Sequence, residues 1–213
     1  IKNTYGTGCF LLVNTGNKRI KSNSGMINTL ACDELGNPVY ALEGAVFIGG
    51  AVIQWMRDEL GFILNASESE QLALSVKDTG GVYMVPAFSG LGAPHWNMES
   101  RGIITGITRG ANKKHIVRAA LESIAFQVND LINCLNKDMG TVLTELKVDG
   151  GATQNNFLMQ FQSNISNLNI IKPNNIELTA LGAALLSGIS SKYWENMDSL
   201  LQNKNLNKKY SPE

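Results

Sequence analysis

The sequence predicts an α/β domain with one mixed central sheet and helices on both faces. Three observations carry that expectation. Three apolar strands in succession open the chain, strands then alternate with helices, and 213 residues at 44% apolar and 17% charged can bury one sizeable core. No internal repeat or low-complexity segment interrupts this pattern.

The opening strands are Cys9 to Asn14, Met26 to Asp33 and Val39 to Leu42, with turn residues at Asn14 to Gly16 and Glu34 to Pro38. Apolar positions Val46, Ile48, Val52, Ile53, Trp55, Met56 and Leu60 fit a helix over Glu43 to Leu60, and Ser67 to Val76 reads as a shorter one. Val82 to Val85 is a short strand ended by Pro86. The loop from Phe88 to Arg101, with Gly90, Gly92, Pro94 and Trp96, is too long for a simple connection. Gly102 to Ile107 is a strand. Asn112 then caps a long scaffold helix whose apolar face is Val117, Leu121, Ile124, Val128, Leu131 and Leu135. Glu145 to Val148 is a strand, Gln154 to Ile165 a helix, Ile170 and Ile171 an edge strand, and Leu178 to Ser191 a helix packed through Ala180, Ala183, Ala184 and Gly188. From Trp194 onward the sequence predicts a weak surface helix and a polar tail.

Lys plus Arg number 18 and Asp plus Glu also 18, so no net field draws the chain to nucleic acid or to an anionic membrane. Small molecules are the expected partners. Cys9, Cys32 and Cys134 are odd in number and far apart, which supports neither a disulfide framework nor a zinc site and fits a reducing, cytoplasmic location. No apolar run approaches the roughly 18 residues a membrane helix needs. The first residues lack an initiator Met and run straight into a glycine turn, so a preceding segment holding part of the active site is expected.

Three glycine-containing segments could meet a ligand. In Asn3-Thr4-Tyr5-Gly6-Thr7-Gly8 the glycines expose backbone N–H groups, and the hydroxyls can donate to phosphate oxygens; a plain glycine turn fits as well. Asp149-Gly150-Gly151-Ala152 stands where a strand ends and a helix begins, and Thr153 can cap that helix. Ligands of open α/β sheets collect at such points, where free N–H groups and a helix dipole favour anions. A structural tight turn satisfies the same residues, and neither GxGxxG nor GxxxxGK occurs. Gly49 and Gly50 lie within the expected helix, each costing about 1 kcal/mol against Ala. Gln54 follows Gly50 by one turn, so bare backbone and an amide could meet a ligand together, or the glycines could serve close packing. His95 and His115 have no metal-binding partner and suit solvated or capping roles. Asp149 and Glu122 are the candidate bases, without a paired carboxylate.

Gly102-Ile103-Ile104-Thr105-Gly106-Ile107 followed by His115-Ile116-Val117-Arg118-Ala119-Ala120-Leu121-Glu122 resembles the signature of the FGGY carbohydrate kinases. NTYGTGCF from Asn3, YALEGAVF with Gln54 and Trp55, GLGAPHW from Gly90 and VDGGATQNNFLMQFQ from Val148 resemble the glycerol-phosphorylating members. The resemblance implies the actin-like, ribonuclease H-like ATPase fold, with residues 1–213 as the C-terminal ATP-binding lobe and a substrate and phosphate lobe outside them. It also implies that Thr7 meets the ATP phosphates, that Gly50 and Gln54 lie along the nucleotide, and that Gly151 and Asn155 hold the adenosine side. Phe10 would shape the glycerol pocket. The catalytic aspartate, the phosphate loop and most Mg²⁺ ligands belong to the other lobe, so the fragment alone is expected to bind ATP or ADP weakly and turn over nothing. The implied reaction is transfer of the ATP γ-phosphoryl to glycerol, by a protein that resembles homo-oligomers. Another polyol or pentulose kinase of the family, and a non-catalytic nucleotide module of the actin or chaperone type, are the alternatives. Asn97 stands where the family places an acidic residue.

Overall fold

The computed structural model describes residues 1–197 and 207–213. Its nine strands and five α-helices run β1 (Lys2–Tyr5), β2 (Cys9–Gly16), β3 (Ile27–Cys32), β4 (Pro38–Val46), α1 (Ala51–Asp58), α2 (Glu68–Leu74), β5 (Tyr83–Val85), β6 (Ile103–Thr105), α3 (Lys113–Met139), β7 (Glu145–Asp149), α4 (Asn156–Ser166), β8 (Asn169–Lys172), α5 (Leu178–Ser190) and β9 (Lys208–Tyr210). Seven strands make one sheet in the order β3-β4-β2-β1-β7-β8-β9, and β5 pairs with β6 separately. The β1–β7 and β7–β8 pairs are parallel and the other pairs antiparallel, which makes the central sheet mixed as the sequence predicts.

Strand β1 was hidden in the opening turn. Its Asn3 and Tyr5 are fully buried and face α4, where the Tyr5 hydroxyl donates to Gln162 Oε1 at 2.9 Å. A four-residue strand with an Asn and a Tyr inward lacks the apolar alternation that marks a strand in sequence. Strand β4 is longer than expected and claims residues 43–46 from the anticipated helix, because Cys9 to Asn14 of β2 pair with Val46 to Ala41 across it. Pairing across the sheet overrides a helical spacing that the apolar run also happens to satisfy. Helix α1 therefore begins at Ala51 with Gly50 as its N-cap, so neither glycine bears the cost of a helix interior.

Helix α3 is the scaffold the sequence predicts. Asn112 caps it by accepting from Lys114 N, His115 Nδ1 accepts from Asn112 N in return, and Gly140 ends it in the left-handed region at φ 63°. Its buried face holds Val117, Leu121, Ile124, Val128, Leu131 and Leu135 against the sheet. Arg118 reaches Glu122 Oε1 at 2.8 Å and the carbonyls of Ala73 and Val76, so Glu122 is a structural ion-pair partner. Burial raises the Glu122 carboxyl and the Arg118 guanidinium opposes that rise.

Only the start of helix α5 reaches the sheet, where Lys2 Nζ meets Thr179 Oγ1 at 3.3 Å. The expected packing through its alanines is absent. Ala180, Ala183 and Ala184 are exposed because contact with the sheet is confined to the helix start, and only Gly188 packs, under Trp194. Strand β8 is not an edge either, since β9 pairs with it through Ile170↔Tyr210. The tail thus supplies a strand at Lys208–Tyr210; of the surface helix expected from Trp194 onward, residues 198–206 lie outside the described residues.

All three thiols are unpaired. Cys9 is fully buried and its thiol is pushed up to about 12, whereas Cys32 is exposed on β3. A maleimide at about pH 8 is expected to label Cys32 within minutes and to leave Cys9 untouched until the chain unfolds, checked by peptide mass mapping. Among the described residues no helix is long and apolar enough to cross a membrane.

Candidate functional site

The turn between β1 and β2 folds back onto the start of α1. Gly49 N donates to Thr7 O at 2.8 Å, Gly50 N to Gly6 O at 2.8 Å and Ala51 N to Thr7 O at 3.1 Å. Backbone meets backbone so closely that a Cβ on Gly50 would stand 2.8 Å from Gly6 O, and one on Gly8 would stand 2.5 Å from Val46 O. The glycines are required by this contact. It leaves the Thr7 hydroxyl exposed and without a hydrogen-bond partner among the described residues.

The second turn follows β7. Gly150 adopts φ 91°, its N–H donates to Ile176 O at 2.8 Å, and its carbonyl accepts from Thr153 N and from Thr153 Oγ1 at 2.7 Å. Thr153 is therefore a buried turn-holder rather than the expected helix cap. Gly151 to Gln154 form a single 3₁₀ turn, and Asn155 caps α4 by accepting from Leu158 N at 2.9 Å. Its Nδ2 donates to Ser69 Oγ of α2 at 3.2 Å. Asp149, just before this turn, is buried with Lys2 Nζ at 2.9 Å and does not reach the cavity described next, which leaves it a structural ion-pair partner.

The two turns face each other across a cavity of about 490 Å³. Thr7, Gly50, Gln54, Gly151 and Asn155 all line it, with Leu121, Ile124, Ile53 and Leu158 among its apolar lining residues. That volume and mixed lining suit a drug-sized ligand with one polar end. Gly151 is exposed and a Cβ there would meet nothing within 4 Å, so bare backbone opens onto free space. Gln54 is exposed on α1, one turn from Gly50. Phe10 is not in this cavity: it lies on the opposite sheet face beside Thr4 and is 44% exposed. The loop with GLGAPHW also lies elsewhere, anchored by Ala93 N to Ala45 O at 3.1 Å and by Trp96 Nε1 to Gly25 O at 2.7 Å.

Helix α2 closes the cavity's far wall through Ser67, Ser69 and Glu70, which sequence reasoning did not single out. A short Ser- and Glu-rich helix reads as a solvated surface, and only the long-range packing of α2 on α3 and α4 turns it inward. Arg57 also lines the cavity and is held by Asp58, with Nε to Oδ1 at 2.6 Å. Among the described residues no group of three or more His, Cys, Asp or Glu could hold a metal ion.

The family model described as the C-terminal domain of the FGGY family of carbohydrate kinases matches residues 1–191. The chain is 54% identical to the glycerol kinase of Shewanella amazonensis over 99% of its own length and 43% of that relative's. It is also 54% identical to that of Clostridium beijerinckii over 100% of its own length and 42% of the relative's. It therefore spans less than half the length of these curated relatives. The solved structure of Plasmodium falciparum glycerol kinase with ADP superposes on all of the chain and on 42% of that protein, with a TM-score of 0.88 at 41% identity. A ligand-bound xylulose kinase from Lactobacillus acidophilus shares the fold at a TM-score of 0.81 and 22% identity, covering 42% of that protein. With the family pattern spanning residues 1–191 and both glycine turns built around one cavity, the chain belongs to the FGGY family of carbohydrate kinases as its C-terminal domain.

Proposed function

We propose that this chain is the nucleotide-binding lobe of an enzyme that transfers the γ-phosphoryl of ATP to a terminal hydroxyl of glycerol, giving glycerol 3-phosphate and ADP. The observation that carries the reading is the convergence of Thr7, Gly50, Gln54, Gly151 and Asn155, far apart in sequence, on one cavity. The glycerol kinase relatives and the ADP in the Plasmodium structure support the choice of nucleotide and acceptor. In this reading the Thr7 hydroxyl donates to a phosphate oxygen, Gly50 and Gln54 border the phosphate and ribose, and Gly151 with Asn155 receives the adenosine.

Phosphoryl transfer depends chiefly on positioning and on neutralising charge, so a lobe that fixes the nucleotide makes a large part of the catalytic contribution. Mg²⁺ would neutralise phosphate charge when bound, and most of its ligands, like the base that accepts the glycerol proton, belong to the N-terminal lobe. Phe10, on the exposed sheet face, contributes to the shape of the glycerol pocket between the lobes. Closure of the lobes excludes water and suppresses idle hydrolysis.

Thr7→Val in the full-length enzyme removes one donor to a charged phosphate, and is expected to lower kcat/KM for ATP roughly 10- to 100-fold. Coupled-assay kinetics with glycerol as acceptor measure this directly. Wild-type ADP release that proceeds equally fast without any polyol would instead support the non-catalytic nucleotide module.

A further inference from the structure

Glu70 of α2 holds the first residue of α4 with both carboxylate oxygens. Asn156 N donates to Oε2 at 2.8 Å and Asn156 Nδ2 to Oε1 at 2.9 Å. The carboxylate thus sits at the positive end of the α4 dipole and takes a backbone N–H that a helix start leaves unpaired. On its other side the Asn156 amide oxygen accepts from Lys208 Nζ at 2.6 Å and from Tyr210 OH at 2.8 Å, both on β9. Asn156 is consequently clamped between α2 and the C-terminal strand. Its neighbour Asn155 has both amide atoms committed, to Leu158 N and to Ser69 Oγ, so the position of Asn155 in the cavity follows from where α2 stands on α4.

We propose that Glu70 is a positioning residue for the nucleotide, fixing the first turn of α4 against α2 through Asn156, with Lys208 and Tyr210 bracing the same asparagine from β9. This rests on the nucleotide reading of the cavity. Glu70 lines the edge of the cavity, but both its carboxylate oxygens are committed to Asn156, so in the proposal it makes no ligand contact. It sets the distance between the Asn155 wall and the Gly50 and Gln54 wall, and a wall that drifts weakens a nucleoside contact without touching the γ-phosphoryl step. The C-terminal strand thereby becomes part of the nucleotide site although it lies outside the cavity.

The test uses the full-length enzyme and ADP as the probe. In Glu70→Gln the amide can still accept from Asn156 N but leaves Asn156 Nδ2 facing another donor. The Kd for ADP and the KM for ATP are expected to rise about tenfold, with kcat within about twofold of wild type. The double variant Glu70→Gln with Asn156→Asp restores a donor opposite an acceptor while still accepting from Lys208 and Tyr210. It is expected to bring Kd back to within about threefold of wild type. A lowered Tm with Kd unchanged, or a parallel loss of kcat and affinity that the double variant does not recover, overturns the proposal. If wild type and Thr7→Val bind ADP alike, the nucleotide reading itself fails and takes this proposal with it. If Thr7→Val weakens ADP binding while Glu70→Gln binds as wild type does, the role of Glu70 alone is lost.

Discussion

Gly151→Val in the full-length protein is expected to raise the Kd for ADP by roughly 100-fold or more, because a branched side chain then fills the place proposed for the adenosine. The fold should hardly notice. Gly151 is outside the left-handed region, and an added Cβ meets no atom within 4 Å, so a side chain can start there without a backbone clash. Titration calorimetry with ADP reads the loss, and a thermal melt within about 2 °C of wild type establishes that the fold survived. A variant that binds ADP as tightly as wild type would remove Gly151 from the site.

Gly150→Ala, one residue earlier, is expected to do the reverse. Its φ of 91° is a conformation that side chains other than glycine's rarely adopt, and its Cβ would lie 2.5 Å from Tyr5 O and 2.8 Å from Tyr5 C. Strain of this kind costs about 1–3 kcal/mol before the clash is counted, and the clash is with backbone of the central strand β1, which cannot turn aside. For a domain of this size the combined cost corresponds to a fall in Tm on the order of 10 °C, measurable by calorimetry. The adjacent glycines therefore separate two requirements: Gly150 permits the turn, and Gly151 keeps the cavity open.

The residues that line the cavity were more legible in the sequence than the sheet was. Thr7, Gly50, Gln54 and Gly151 stood out because turn glycines and their polar neighbours are local features, while the family pattern joined them and added Asn155. The boundary between β4 and α1 was not local. Residues 43–46 satisfy a helical spacing and a strand equally, and pairing with β2 decides between them. Strand β1 was obscured by the inward Asn3, a buried polar residue where an apolar one marks a strand. Strand β9 is defined only by its pairing with β8, almost 40 residues earlier. Glu70 was illegible for the same reason: nothing in Ser67 to Glu70 distinguishes a solvated helix from a cavity wall until α2 is packed on α3 and α4.

A structure of the full-length protein with ADP decides whether the cavity holds the nucleotide. Adenosine is expected against Gly151 and Asn155, the ribose and α-phosphate passing Gly50 and Gln54, and the β-phosphate within hydrogen-bond distance of the Thr7 hydroxyl. ADP bound in a position that leaves the cavity between these two turns unfilled would contradict it.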